Sequence, residues 1–333
     1  MTFTWFISLT QSSAPIIGTI AKLFGVIMNG IYVLFYNNLG IISIGFSIIA
    51  FTFIIRLLII PIYFKQQKSM QEMQRVQPEI KKIQEKYKNM KDPESQKKMQ
   101  EETAKLYQEH NVNPFGGCLP LLIQMPILFA LFAVLRNIPA YIVQVKEVYL
   151  SIFTNISAIS GYDQLISAFN TSQKVPVKNF LASDGNKVID LLNSLSSKEW
   201  TEFLKVFGEV QDKIAPLYDK VTGMNYFYGI NLADVPVDLS QGFSGLMTVG
   251  ILIPILCVLA QVLVTKTTMP STEKGKDAKA DQTQKTMNTM MPLITLVFVL
   301  QMPAGLGLYW LVSNTFQLVQ QLVFNKHLKK KNA

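Results

Sequence analysis

The sequence predicts an all-α polytopic membrane protein: five transmembrane helices around a hydrophilic groove, with a cytoplasmic helical hairpin and an interfacial N-terminal helix. Three observations predict it. Of 333 residues, 49% are hydrophobic and only 16% are charged, a balance too apolar for an ordinary soluble domain. Five apolar segments, 40–64, 114–136, 246–264, 290–302 and 304–324, are separated by polar stretches. Within the first of them stands Arg56, whereas all 22 acidic residues fall outside the five segments. A charge at such depth needs a wet or polar surround, and hence a groove.

Residues 1–39 form an extracellular N-terminus. Within it, Ile16, Ile20, Leu23, Phe24, Ile27, Met28, Ile31 and Phe35 recur at helical spacing, as in an amphipathic helix lying in the membrane interface. A sixth span is the competing reading. A cleaved signal peptide fits less well, because nothing basic precedes Lys22 and no cysteine offers a lipoprotein site.

The first span, 40–64, ends at Lys65. At about 1.5 Å rise per residue, Arg56 then lies roughly 13 Å deep, where an arginine costs about 2.5–3.5 kcal/mol on insertion scales. Its side chain leans toward the helix N-terminus, away from the nearer boundary, so snorkelling helps little. Thr52 and Tyr63 share its face.

Segment 65–113 reads as a cytoplasmic helical hairpin. Met70, Met73, Val76, Ile80, Ile83, Tyr87 and Met90 make one apolar stripe on a charged helix. Asp92–Pro93 breaks that helix and supplies an N-cap and first position for a second one, while Pro78 is expected to kink the first. The stripe either packs on the second helix or, being methionine-rich, offers an adaptable surface to varied partners.

The second span, 114–136, contains Pro120, Gln124 and Pro126. A wet interior could satisfy the backbone groups that the prolines free, with Gln124 turned toward it. Segment 137–245 is an extracellular helical insertion, where Lys187–Ser196 and Lys198–Tyr218 look amphipathic and place Trp200, Phe203, Leu204 and Phe207 on an apolar side. The third span, 246–264, carries Gln261, followed at helical spacing by Thr265. A cytoplasmic loop, 265–289, leads to the fourth, 290–302, which is only about 20 Å long. Pro303–Ala304–Gly305 joins it tightly to the fifth, 304–324. There Trp310, Asn314, Gln317 and Gln321 fall on one stripe with Ser313 beside it, and a basic tail, 325–333, follows. Ordinary helix–helix hydrogen bonding explains each neutral polar residue as well as a groove does; Arg56 is harder to explain that way.

Charge orients these segments. Loop 65–113 has 11 Lys/Arg against 8 acids, loop 265–289 has 5 against 3, and the tail has 4 against none. Insertion 137–245 reverses the balance with 8 against 11. Basic loops stay cytoplasmic, which puts the N-terminus outside and the C-terminus in the cytoplasm. The net charge of +9 therefore reports loops rather than a nucleic-acid site. Cys118 and Cys257 both lie in apolar spans, so a disulfide is not expected. His110 and His327 read as solvated loop residues. With no phosphate-binding glycine motif, no nucleophile–base set and no Cys/His cluster, neither an enzyme nor a cofactor is indicated.

Three stretches, "FIIRLLIIPIYFKQQKSM", "NPFGGCLPLLIQMPILFAL" and "MPLITLVFVLQMPAGLGLYWLVSNTFQLVQQ", together resemble the YidC-type membrane protein insertases, bacterial relatives of mitochondrial and chloroplast insertases. The resemblance runs over about 14–136 and 246–326 in matching order. It implies a multi-pass protein of the bacterial cell membrane with a groove closed on the outside and a hairpin that receives clients. It also implies that Arg56, Gln261 and Trp310 belong to a client-binding groove, which Thr52, Tyr63, Gln124, Asn314 and Gln317 would complete. Implied partners are nascent membrane proteins and the lipid bilayer, with the Sec translocon, ribosome and signal recognition machinery as further candidates. The long insertion and the absence of a lipoprotein cysteine depart from parts of that family. A small-anion transporter or channel centred on Arg56 is the rival class; the spans hold no acid or histidine for proton coupling and show no evident inverted repeat.

Overall fold

The computed structural model describes residues 11–12, 14–88, 90, 92–110, 112, 119–173, 177, 179–236, 249–268, 290 and 292–332. The beginning of the second span with Cys118, the beginning of the third, and nearly all of loop 265–289 lie outside these. Most described residues are helical, and the helices follow from caps and apolar faces.

Helix α1 (Pro15–Leu39) starts with proline at its first position and ends at Gly40, whose φ of 64° is the left-handed conformation in which its N–H reaches the Phe35 carbonyl. The expected stripe divides in two. Phe24 and Met28 are buried with Gly18, Ala21, Gly25 and Tyr32, whereas Ile16 and Leu23 point outward, 71% and 58% exposed. Small residues decide which side packs, because they let backbones approach: a side chain at Gly25 would overlap the ring of Tyr141. Asn29 accepts the Val143 N–H at 3.0 Å, tying α1 to the turn after α4. By length and composition α1 could itself cross a membrane, as could the apolar part of α2 (Ile44–Lys86).

Helix α2 starts at the Ser43 N-cap and continues without interruption for 43 residues through Pro61 and Pro78. The first span and the first arm of the hairpin are thus one helix, and neither proline ends it. Helix α3 (Pro93–Glu109) starts as the sequence predicts: Asp92 caps it by accepting the Ser95 N–H at 2.8 Å, and Pro93 occupies the first turn. The two arms enclose their own small core of Val76, Ile80, Leu106 and Val112, flanked by Met73, Ile83 and Tyr107. Packing between the arms therefore uses much of the apolar stripe, while Met90 remains half exposed.

Helix α4 (Leu119–Arg136) passes through Pro126. Beyond it, α5 (Val143–Ser157), α6 (Tyr162–Ser172), α7 (Gly185–Ser194), α8 (Ser197–Val206) and α9 (Gln211–Asn225) form a helical insertion. Its centre is aromatic: Trp200 stacks on Tyr218 with ring centroids 4.5 Å apart, and Phe203 lies 4.6 Å from Phe207. Leu204 packs at the margin of that core, as its place on the apolar side predicts. The insertion ends in a two-stranded antiparallel ribbon, β1 (Tyr226–Phe227) and β2 (Ile230–Asn231), which the all-helical expectation missed. Helices α10 (Leu252–Thr268), α11 (292–300) and α12 (Ala304–Asn332) complete the chain. One continuous apolar core joins α1, α2, α4, the insertion, α10 and α12.

Candidate functional site

The site is built where α2 and α12 cross. On α2, residues 52, 56 and 63 face α12 because steps of three, four and seven return to one side of a helix. On α12 the polar residues Tyr309, Ser313, Gln317, Gln321 and Asn325 recur every four residues and climb the helix as one ridge.

Arg56 reaches across this seam. Its Nε donates to the Ser313 hydroxyl at 2.7 Å, and its Nη2 contacts the same oxygen. Tyr63 and Tyr309 lie within electrostatic reach of the guanidinium, and among the described residues no carboxylate pairs with it. A guanidinium has five N–H groups, so two go to Ser313. Two turns further along, the Tyr63 hydroxyl donates to Gln321 Oε1 at 2.6 Å and accepts from Gln67 Nε2 at 3.0 Å. Gln321 Nε2 then donates to Asn325 Oδ1 (3.0 Å), and Asn325 Nδ2 to the Thr267 carbonyl at the end of α10 (3.1 Å). In the opposite direction Gln124 Nε2 of α4 donates to the Tyr309 hydroxyl at 3.1 Å. Phe53 against Phe316 and Phe64 against Phe324 flank this ladder, with ring centroids 5.5 and 5.7 Å apart.

Of the residues singled out from the sequence, the ladder brings together Arg56, Tyr63, Gln124 and Gln321. Thr52 is buried beside it but donates within its own helix to the Ile48 carbonyl, 2.6 Å away. Asn314 is 3% exposed, and its amide nitrogen has no hydrogen-bond partner among the described residues. Gln261 and Gln317 are half-buried, and Trp310 packs at the edge of the main core; among the described residues these three make no side-chain hydrogen bond to the ladder. Sequence reasoning missed Tyr309, Gln67 and Asn325 and placed Ser313 only beside the stripe. The four-residue repeat from Tyr309 to Asn325 was the available signal.

The end of the seam nearest the insertion is fastened by the ribbon. Ser43, the cap of α2, donates its hydroxyl to the Tyr226 carbonyl at 2.6 Å, and Phe227 covers Gly45 so closely that a side chain there would overlap its ring. On α12 the first two N–H groups, those of Ala304 and Gly305, donate to the carbonyls of Asp234 and Leu232, both at 2.9 Å. Those are helix-start donors that no residue of α12 could satisfy. One short ribbon and its following turn therefore grip both helices of the polar seam.

At the far end of α2, Lys86 Nζ and the Tyr87 hydroxyl meet Glu102 at 2.6 and 2.8 Å. These two bonds hold the Glu102 carboxyl below its usual range, and the backbone and side chain of Ser95 do the same for Asp92.

Comparison with known proteins places this geometry in context. Residues 34–331 match the family model described as 60Kd inner membrane protein. A Fusobacterium nucleatum protein named Membrane protein insertase YidC is 51% identical over 100 residues, which cover 29% of this chain and 46% of that protein. One of the same name from Caldanaerobacter subterraneus is 28% identical over 285 residues, 86% of each chain. Another from Bifidobacterium longum is 28% identical over 295 residues, 86% of this chain and 69% of the relative. The chain thus spans about half of the first relative and most of the other two.

Proposed function

The chain belongs to the 60Kd inner membrane protein family, and on that footing we propose that it inserts client membrane proteins into the bilayer and helps them fold. It does so as an insertase and chaperone, not as an enzyme. In this reading α2, α4, α10, α11 and α12 supply the five spans, with the N-terminus and the insertion outside and the hairpin and tail in the cytoplasm. The polar seam between α2 and α12 faces a hydrated groove that opens toward the cytoplasm and the lipid.

The observation that carries the reading is Arg56: a guanidinium inside an apolar helix, held by a neutral hydroxyl, with no carboxylate among the described residues to neutralise it. Three of its N–H groups remain for water or for an acidic client segment. The buried amide of Asn314 points the same way, since a buried donor costs about 1–3 kcal/mol unless paired. A polar tail that enters such a groove crosses part of the bilayer without full desolvation, which is the dominant cost of translocation. Its apolar helix then moves sideways into lipid, and no nucleotide is required. The short α11 thins the membrane beside the groove, and the hairpin of α2 and α3 receives the client. Nascent membrane proteins are the partners; the Sec translocon, ribosome and signal recognition machinery are candidate suppliers.

Insertion assays in proteoliposomes test this. Arg56→Ala should impair clients with acidic tails several-fold more than clients with neutral tails, and Arg56→Lys should largely preserve both, because positive charge is the requirement. Equal failure of Lys and Ala would replace the electrostatic account with one of guanidinium geometry. Small-anion flux without client insertion would favour the transporter reading.

A further inference from the structure

A second polar group stands at the edge of apolar surface and is not used by the seam. Arg136 is the last residue of α4, and its guanidinium lies over the ring of Phe132, 5.8 Å from the centroid. It is exposed, and among the described residues no carboxylate pairs with it. Beside it opens a cleft of about 480 Å³, walled by Phe132, Val297, Phe298 and Met302, with Gln301 at its rim. That volume is in the range of small-molecule sites. Helix α11, which forms one wall, is described over 292–300, about 14 Å of rise. Its outward residues Leu293, Ile294, Val297 and Phe298 are 43–54% exposed, which makes the cleft continuous with apolar surface.

We propose that this cleft binds one anionic phospholipid, its phosphate on Arg136 and an acyl chain along Val297, Phe298 and Met302. The proposal rests on the five-span reading, which puts the end of α4 and the 300–304 turn at the outer headgroup level. The chemistry selects this occupant. Arginine pairs with phosphate through two parallel N–H groups, and the apolar walls offer a polar peptide few partners. The ring of Phe132 holds the guanidinium at the mouth of the cleft. A basic residue in the last turn of α4 also complements the helix dipole, but that role needs no cleft.

The full chain in nanodiscs, with phosphatidylglycerol or phosphatidylcholine as the test lipid, decides the matter by native mass spectrometry after detergent release. The expected result is retention of phosphatidylglycerol over phosphatidylcholine. Arg136→Gln should reduce that preference several-fold, and Arg136→Lys should keep part of it. Val297→Trp, which fills the cleft and leaves the charge, should lower retention of both lipids. A photo-reactive residue at position 298 should crosslink to lipid in the absence of any client. Equal retention of the two lipids, unchanged in Arg136→Gln, would overturn the proposal. So would a residue at 298 that crosslinks only to client chains. No client is needed for the lipid measurements, so loss of insertion activity with lipid retention intact would count against the insertase reading alone.

Discussion

At the residue scale the account turns on what replaces a carboxylate beside Arg56. Ser313 gives one hydroxyl to two guanidinium N–H groups, which orients the charge without neutralising it and leaves it able to attract. Its removal separates two environments. If water already reaches the seam, Ser313→Ala should cost only about 0.5–1.5 kcal/mol, because water takes over the lost bond. In a dry interior the same change would leave an unpaired buried charge and cost about 3–5 kcal/mol. We expect the smaller value, with insertion of acidic-tailed clients largely retained, from denaturant unfolding in mixed micelles and the proteoliposome assay. Arg56 was legible in the sequence because no acid shares its depth; Ser313 was not, since a serine in an apolar helix more often bonds its own backbone.

Among the elements, the hairpin and the ribbon do opposite things at the two ends of α2. The hairpin has a core of its own, so its arms should loosen without unfolding the rest. Asp92 and Glu102 both have carboxyls held below their usual range in the folded chain. Stability from a depressed carboxyl is present above its unfolded pKa and is lost as pH falls through the folded one. Hydrogen exchange of residues 79–109, corrected for intrinsic rates, should therefore accelerate on acidification from neutral pH to below about 4, while α10 stays protected. The ribbon is tested by Gly45→Ala. Alanine favours the helix by up to about 1 kcal/mol, but its methyl overlaps the Phe227 ring, and overpacking costs about 1–3 kcal/mol. The variant should be less stable and should leak ions from outside; adding Phe227→Ala should relieve part of the strain, so the two costs do not add. The hairpin start was readable from Asp92–Pro93, whose local chemistry is sufficient. The continuity of α2 through Pro61 and Pro78 was not, because a proline stops a helix only where its neighbours cannot absorb the lost bond. The ribbon was hidden because it depends on long-range partners at residues 43–46 and 304–305.

For the whole molecule, one apolar core runs from α1 through the insertion to α12, and a polar ladder runs beside it from Gln124 to Asn325. Composition and apolar periodicity were enough to predict a mostly helical membrane protein, and they singled out Arg56, which the structure places on the α2–α12 seam. Which face of α12 meets α2 was beyond them: Trp310 and Tyr309 differ by one position, and only packing tells which turns inward. The ribbon fastens the seam at one end; at the other Tyr63, Gln67 and Gln321 are buried, and the proposed function requires water to reach the ladder past them. Solvent access to that ladder is the central claim. Single cysteines at Gln124, Gln261 and Gln317, which are half-buried, would be placed in a chain lacking Cys118 and Cys257. A membrane-impermeant thiol reagent would then be applied from each side of inverted or right-side-out vesicles, with Leu57 and Leu256, 54% and 46% exposed on apolar surface, as controls. The account predicts labelling of all three sites from the cytoplasmic side, little from the outside, and none at the controls. Equal labelling from both sides would mean a continuous pore, and no labelling from either side would mean that Arg56 sits in a dry interior and that there is no groove.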